Sequence, residues 1–515
     1  MKNLRPTAAW WTGRCRVTSM AGIFYGLEIA RRGLAVSQSA ITLTGNNVAN
    51  ANTEGYTRQR LVVESIYSDA TSRFSGGVQI GGGAEVTGIE QIRSAYIDKQ
   101  LRGQYSTLGQ WNTRSEEMEF IESILDETAD TGTLSAALSD FYEGLSNLTT
   151  QPDSEEVRTN LQQNAIKLCE KMNYYYSQLV DLQDSYNDSM SATVDNINDL
   201  LTGIANYNEE IYAYEAGGQQ ANELRDRRNT MLDELSQLVD ITYSEDSDGK
   251  LSVSVGGTTL VSHTDVTCLS AVADQTGEVS GQPDYYSIYL EGTSTELTYS
   301  SGELQAYRDL RDGNSVDDIG VPYLLSNLNT LAQSLAKEFN AVHEKGYTIP
   351  YGSGTSETGV DFFEVPAGGY DDVTAGNLSL SDEVLENVYN IAASGLTVDL
   401  NASDTQKGNN EIALELYALT SSTTLDTVGN YESYLKSFVV QVGISSASAQ
   451  DTADSQTTIV DNLETRKESI SGVSIDEEMI NLISYQYAYS AASRVLSAID
   501  EALDKLINGT GRVGL

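Results

Sequence analysis

The sequence predicts a mainly α fold with an inserted β-rich region. Terminal coiled-coil helices pair with each other, a long helical bundle forms a stem, and a β-rich outer domain is carried on it. Three observations point there. Apolar seven-residue repeats occur at both ends of the chain. One apolar seam runs uninterrupted from Val157 to Tyr214, and strand-like alternation rich in Gly, Asp, Ser and Thr breaks the helical pattern between residues 241 and 408.

At the N-terminal end Leu27, Leu34, Ile41 and Val48 recur every seven residues, with Ala30, Ser37 and Thr44 three positions after the first three. Large residues alternating with small ones describe a narrow seam that a partner helix can approach closely. Asn46, Asn47, Asn50, Asn52 and Gly55 follow. These residue types tolerate left-handed backbone and cap helix ends, so the cluster is a stop signal, denser than an ordinary terminus needs. Ser75 to Gly88 alternates apolar residues with glycines and reads as a hairpin. Its G-G-V-Q-I-G-G-G lacks the strand–loop–helix setting of a phosphate cradle.

A helix then carries Ile97, Leu101, Tyr105, Leu108, Trp111, Met118, Ile121 and Leu125. Ser154, with Glu155 and Glu156 behind it, starts the long seam as an N-cap with acidic first-turn residues. Unbroken, that seam makes a helix on the order of 90 Å long, a rod element. Gly217-Gly218 ends it, and Ala221–Val239 forms a second helix expected to pack back on the first. Asp248-Gly249 turns a hairpin between Ile241–Tyr243 and Leu251–Val255, and more strands follow to Tyr299. The turn is not a calcium loop, because Lys250 and Leu251 stand where further ligands are needed. Gly302 to Asp312 introduces a helix with Leu325, Leu328, Leu331, Leu335, Phe339 and Val342, and residues 347–408 return to short strands, including Asp361-Phe362-Phe363. Helical pattern resumes at Asn410. From Ile475 a second heptad seam reads Leu482, Tyr485, Tyr489, Ala492, Leu496, Ile499, Leu503 and Leu506 and ends at Asn508-Gly509; only Glu478 is out of character.

The expected division is therefore 20–96 and 471–515 as the two halves of an inner coiled-coil domain, with 97–240 and 409–470 as stem. Residues 241–302 and 347–408 are the two parts of the β-rich outer domain, and 303–346 is a helix of either. Residues 1–19, with four basic groups and no apolar run of a secretory signal, leave a basic presequence open.

Composition excludes several classes. The net charge is −43, yet residues 1–60 hold eight Lys/Arg against two Glu, so the acidity lies in the main body. Nucleic acid is not expected as a partner, since phosphate binding needs a basic stripe. The acidity fits either solubility of the chain or adaptation to a medium. Cys15, Cys169 and Cys268 are too few and scattered for a disulfide framework or a zinc site. No run approaches the ~20 apolar residues of a membrane helix, so no membrane partner is expected. Only His263 and His343 exist, leaving catalytic, metal and cofactor sites at none. His343-Glu344 begins a zinc-protease pattern, but Tyr347 stands where the second ligand belongs, so an ordinary helix end is expected. Thirty tyrosines against eight phenylalanines suit either subunit contacts or a wet surface.

The stretch Thr44–Tyr56, T-G-N-N-V-A-N-A-N-T-E-G-Y, resembles the motif N-N-[LIV]-A-N-x-x-T-x-G-Y of the bacterial flagellar rod, hook and hook-associated proteins. Asn46, Asn47, Ala49, Asn50, Thr53, Gly55 and Tyr56 carry the match; Glu54 replaces the usual Pro. Ala221 onward, A-N-E-L-R-D-R-R-N-T-M-L-D-E-L-S, is similar to a segment of the hook-associated protein 1 family, matched at Asn222, Asp226, Arg228, Asp233 and Glu234. The Gly302–Asp312 stretch and the ending Phe339-Asn340-Ala341-Val342-His343 are similar to further blocks of that family.

The resemblance implies a structural subunit at the junction of flagellar hook and filament, not an enzyme. It would be exported through the type III channel and lie outside the cell, and because family members begin close to Met20, residues 1–19 would be an upstream extension or a start assigned too early. Its partners would be copies of itself in a ring, the hook subunit, a second junction protein of the hook-associated protein 3 type, and an export chaperone on the C-terminal helix. The terminal seams would be disordered until assembly. Subunit packing then falls to Leu27, Leu34, Ile41 and Val48 at one end and Leu482 to Leu506 at the other. Two other readings stay open. A hook or other axial subunit would share the first motif but is expected to lack the long rod. A flagellum-borne enzyme or adhesin needs a site in 241–408 that the sequence does not reveal.

Overall fold

In the computed structural model the described residues are 19–67, 81–125, 132–246, 249–273, 285–351, 356–401, 406–422, 425 and 429–509. The hairpin tip expected at residues 75–80, the Asp248 turn residue, Cys15 and residues 1–18 lie outside them.

The N-terminal helix α1 (Ser19–Ala49) runs into the Asn-rich turn and strand β1 (Gln59–Ser65). Strand β2 (Ala84–Gln91) pairs antiparallel with β1, Gln59 opposite Gln91. The expected ribbon at 75–88 therefore has its first strand further back, in a segment whose alternation is weak. Next come α2 (Ala95–Ile124), α3 (Leu134–Thr150), α4 (Glu155–Glu215) and α5 (Asn222–Leu238). The sequence reading did not separate α3, which sits under a Thr133 cap whose hydroxyl accepts from Ala136 N at 3.0 Å.

Helix α4 is continuous over 61 residues, capped by Ser154, whose Oγ accepts from Val157 N, with Glu155 and Glu156 in its first turn. Gly218 (φ 81°) turns the chain into α5. Close approach of α2 to α5 depends on Gly109, where an added Cβ would lie 2.2 Å from the Gln237 carbonyl oxygen.

Strands β3 (Ile241–Glu245), β4 (Leu251–Val255), β5 (Thr258–Ser262) and β6 (Asp265–Val266) form one antiparallel sheet in sequence order; β7 (Leu269–Ala273) pairs with β8 (Tyr286–Leu290). Their inner faces share a core with the second half of α4 and with α5, through Ile197, Leu201, Ile204, Leu232, Leu235, Val253 and Ile288. Helices α6 (Glu303–Asp312) and α7 (Val321–His343) follow, then a short α8 (Asp382–Glu386), α9 (Glu411–Ser422), α10 (Tyr431–Ser471) and α11 (Ile475–Asn508).

Residues 347–408 depart from the strand expectation. Among the described residues they hold isolated bridges, such as Phe363 with Leu380, and no ladder. Side-chain hydrogen bonds take the place of strand partners there, and the segment joins a second core with α3, the first half of α4, α7 and α9, built around Phe141, Phe339, Phe362 and Phe363. The two segments read as strand-rich thus lie in different cores, joined by α4.

His343 ends α7 as an ordinary helix residue, fully buried. Its Nδ1 lies 2.7 Å from Val360 O and its Nε2 accepts from Ala392 N at 2.8 Å, so the neutral imidazole carries its proton on Nδ1. Burial drives its pKa from 6.5 down to about 4. The unfolded chain takes up the proton first. This stabilisation is therefore complete above about pH 6.5 and lost as pH falls towards 4, a change of about 3 kcal/mol. His343→Gln is expected to remove that portion of the acid sensitivity, read from denaturation midpoints of both chains between pH 7 and 4.

Candidate functional site

The termini meet as the heptads predict: α1 and α11 pack against each other along their lengths. The pairing is antiparallel. A Cβ on Gly26 would lie 3.4 Å from Ile499 Cδ1, one on Gly33 would lie 3.8 Å from Ala492 Cβ, and Asn47 touches Glu478. The line of closest approach on α1 therefore runs through Gly26, Gly33, Ala40 and Asn47, beside the buried Ala30, Ser37 and Thr44. Leu27, Leu34, Ile41 and Val48 stand one position round the helix and are half-buried flanks of that line. Small residues win the centre because they let the backbones come close. On α11, Leu482, Tyr485, Ala492, Leu496, Ile499, Leu503 and Leu506 are half-buried; Tyr489 stays exposed.

Where the pair meets the stem, a polar neck is built around the Asn-rich turn. Asn46 and Asn50 close the helix end on each other: Asn50 Nδ2 donates to Asn46 Oδ1 at 2.8 Å and to its carbonyl at 3.0 Å. Thr53 Oγ1 donates to Asn50 Oδ1 at 3.3 Å, while Ala49 is exposed. Asn47 is buried and fully bonded. Its Oδ1 accepts from Tyr56 OH at 2.8 Å and Gln59 N at 3.2 Å, and its Nδ2 donates to Gln59 O at 3.0 Å and Glu478 Oε2 at 3.1 Å. Gly55 needs its φ of 75°, and a Cβ there would lie 2.5 Å from Thr230 Oγ1 of α5.

That last contact joins two blocks far apart in sequence. Asp226 of α5 accepts from Thr57 N at 3.1 Å, Thr57 Oγ1 at 2.6 Å and Gln91 Nε2 at 2.8 Å. Burial pushes its carboxyl above the usual carboxylate range, against the opposing pull of these donors. Asn222 Nδ2 donates to Ile89 O at 3.2 Å. Asp233 accepts from Arg102 of α2 at 2.6 Å and Lys467 of α10 at 3.3 Å. Arg228, buried, donates to Asn208 Oδ1 at 2.9 Å and Glu245 Oε2 at 3.0 Å, whereas Glu234 is exposed. Helix α5 thus packs on α4, as expected, and also receives the N-terminal turn. The sequence alone did not place these two blocks together.

Sequence reasoning gave no role to Arg58 or Arg311. Arg58 donates to Glu478 Oε1 from Nε at 3.0 Å and Nη2 at 2.7 Å, and to Glu477 at 3.1 Å. Arg311, in the block ending α6, is buried and donates to Asp312, to Asn187 Oδ1 at 2.8 Å and to Tyr286 O at 2.8 Å, tying α6 and β8 to α4. The one signal available for Arg58 was the misfit of Glu478 in an apolar seam.

Among the described residues no group of three or more His, Cys, Asp or Glu is placed to hold a metal ion, and no helix is long and apolar enough to cross a membrane. Apart from local bonds such as those among Asn46, Asn50 and Thr53, the contacts above join elements of structure to one another. The arrangement fixes the angle and rotation of a helix pair against a stem.

Three family models match in separate places: "Flagella basal body rod protein" at residues 27–57, "Flagellar hook-associated protein FlgK helical domain" at 118–363, and "Flagellar basal body rod FlgEFG protein C-terminal" at 468–509. The chain is 32% identical over 523 residues to flagellar hook-associated protein 1 of Bacillus subtilis, covering 96% of this chain and 99% of that one. It is 24% identical over 562 residues to flagellar hook-associated protein 1 of Escherichia coli, covering 93% and 98%. The solved hook junction protein FlgK of Burkholderia pseudomallei, 15% identical, superposes with a TM-score of 0.57 over 72% of this chain and all of that one, a likeness of fold. With that coverage and identity, the chain belongs to the flagellar hook-associated protein 1 family.

Proposed function

We propose that this chain is the structural subunit that joins hook to filament, assembling as a ring through its paired terminal helices. As a member of its family it is a structural component of the flagellum. The observation that carries the assembly reading is the apolar surface that α11 leaves exposed. Ile480 (68% exposed), Ile483, Tyr487 (74% exposed), Val495 and Ile507 stand in solvent although α1 is already paired. Two helices alone cannot cover that surface, and neighbouring copies would bury it.

In this reading residues 20–96 and 471–515 form the inner unit, and the stem and strand-bearing segments face outward. The hook subunit lies on one side and a second junction protein of the hook-associated protein 3 type on the other. An export chaperone covers the α11 seam before secretion through the type III channel, and the mature site is extracellular. The Glu155–Glu215 rod separates this reading from that of a hook subunit.

Deletion of the gene in its native host tests it. Hooks without filaments, with flagellin lost to the medium, are expected by electron microscopy and immunoblot. Absent hooks would move the chain to the rod or hook, and normal filaments would overturn the proposal.

A further inference from the structure

The terminal helix pair has an unusual degeneracy. Its contacts step by seven in opposite directions: Gly26 with Ile499, Gly33 with Ala492, and Asn47 with Glu478. The same step sets Ala40 against Tyr485. Sliding α11 by one heptad would put Leu506 on Gly26, Ile499 on Gly33 and Ala492 on Ala40, which are small-against-apolar contacts of the same kind. Smooth, repeated seams of this sort discriminate poorly among registers.

One position breaks the degeneracy. Glu478 is the only buried residue of α11, and its carboxylate accepts three hydrogen bonds, two from Arg58 and one from Asn47. Asn47 in turn has its remaining contacts on β1 and the turn, through Gln59 and Tyr56. A slipped helix would strip Asn47 Nδ2 of its acceptor inside the seam and remove the buried carboxylate facing Arg58. Removing one partner of a buried charged pair is heavily penalised, and a single polar position is a well-attested way to fix helix register. The chain geometry places this group where slippage would begin. Only residues 472–474 link α10 to α11, so a slip has to unwind the first two turns of α11, which contain Glu478.

We propose that Asn47, Arg58 and Glu478 form a register key: positioning residues that select one among heptad registers whose apolar contacts between α1 and α11 are alike. Apolar packing supplies the attraction, and the key supplies the choice.

The distances provide the test. Gly33 and Ala492 sit at Cβ separation suited to a disulfide, about 3.8 Å. In the full-length chain carrying Cys15→Ser, Cys169→Ala and Cys268→Ser, Gly33→Cys/Ala492→Cys reports the native register. Gly33→Cys/Ile499→Cys reports the register slipped by one heptad. Both are oxidised in purified protein and in flagella isolated from cells producing the variant.

The parent is expected to form the first bond and not the second. Glu478→Leu makes the seam uniformly apolar, so helix content by circular dichroism should hold while the ratio of native to slipped bond falls about tenfold or more. Glu477→Gln, which removes only the exposed partner of Arg58, should leave the ratio unchanged. Should Glu478→Leu not accumulate, Asn47→Ala and Arg58→Gln are read instead, with the same fall expected. An unchanged ratio in a helical Glu478→Leu chain overturns the proposal. So does loss of the native bond with no gain of the slipped one, which would make the group a stabiliser only, or a parent with no Gly33–Ala492 bond in either preparation.

Discussion

Replacing Asn340 by Ala is expected to lower the stability of the chain by about 3–5 kcal/mol, because it strands three buried backbone groups at once. Asn340 is wholly buried on α7. Its Oδ1 accepts from Phe362 N at 3.0 Å and Phe363 N at 2.9 Å, and its Nδ2 donates to Phe363 O at 2.8 Å. One side chain thus does for residues 362 and 363 what a neighbouring strand would do, and so two phenylalanines reach the core without a ladder. Phe339, Phe362 and Phe363 pack ring against ring beside them. Urea denaturation is the measurement: a lower midpoint at unchanged slope is expected. A loss under about 1 kcal/mol would show that the segment is held elsewhere, for example by buried Arg158, which donates to the carbonyls of Pro152 and Ile391.

The second large effect falls on assembly. Leu496→Asp places a carboxylate in the half-buried seam between α11 and α1. An unpaired charge there disfavours pairing, while the two cores along α4 share no contact with it. The variant is expected to melt as the parent does but to be lost from isolated flagella and from the complex with the export chaperone. Normal copurification with the chaperone would sink the chaperone proposal. Normal incorporation would sink the assumption that this seam is needed in the ring.

Much of the fold could be read from the sequence because its signals are local. Seams at steps of three, four or seven located α2, α4, α7 and α11, and Ser154 and Gly217-Gly218 bracketed α4 within a residue or two. What failed depended on partners distant in sequence. Residues 347–408 looked like strands because short apolar runs such as Asp361-Phe362-Phe363 are punctuated by turn-forming Gly, Asp and Ser, but Asn340, His343, Gln162 and Arg158 satisfy that backbone from other segments. Of the seam expected on α1, Ala30, Ser37 and Thr44 are buried, while Leu27, Leu34, Ile41 and Val48 flank a closer line through Gly26, Gly33, Ala40 and Asn47 that the large residues masked. In a closely approaching pair, it is the small residues that sit at the centre. The motif residues Asn47, Gly55 and Tyr56 were legible as a cluster, but the docking of their turn on Asp226 and Thr230 was not, since 169 positions separate Thr57 from Asp226.

Helix α4 has a mechanical consequence. It has no proline, and its one glycine, Gly203, is backed by Met231 of α5, so it offers no hinge along its length. Both cores are strung on this single column. A bending load applied at either end is therefore carried as curvature of the whole beam, and any rotation of the body against the terminal helices has to be absorbed where they join: the short links 92–94 and 472–474 and the docking of the Gly55 turn on α5.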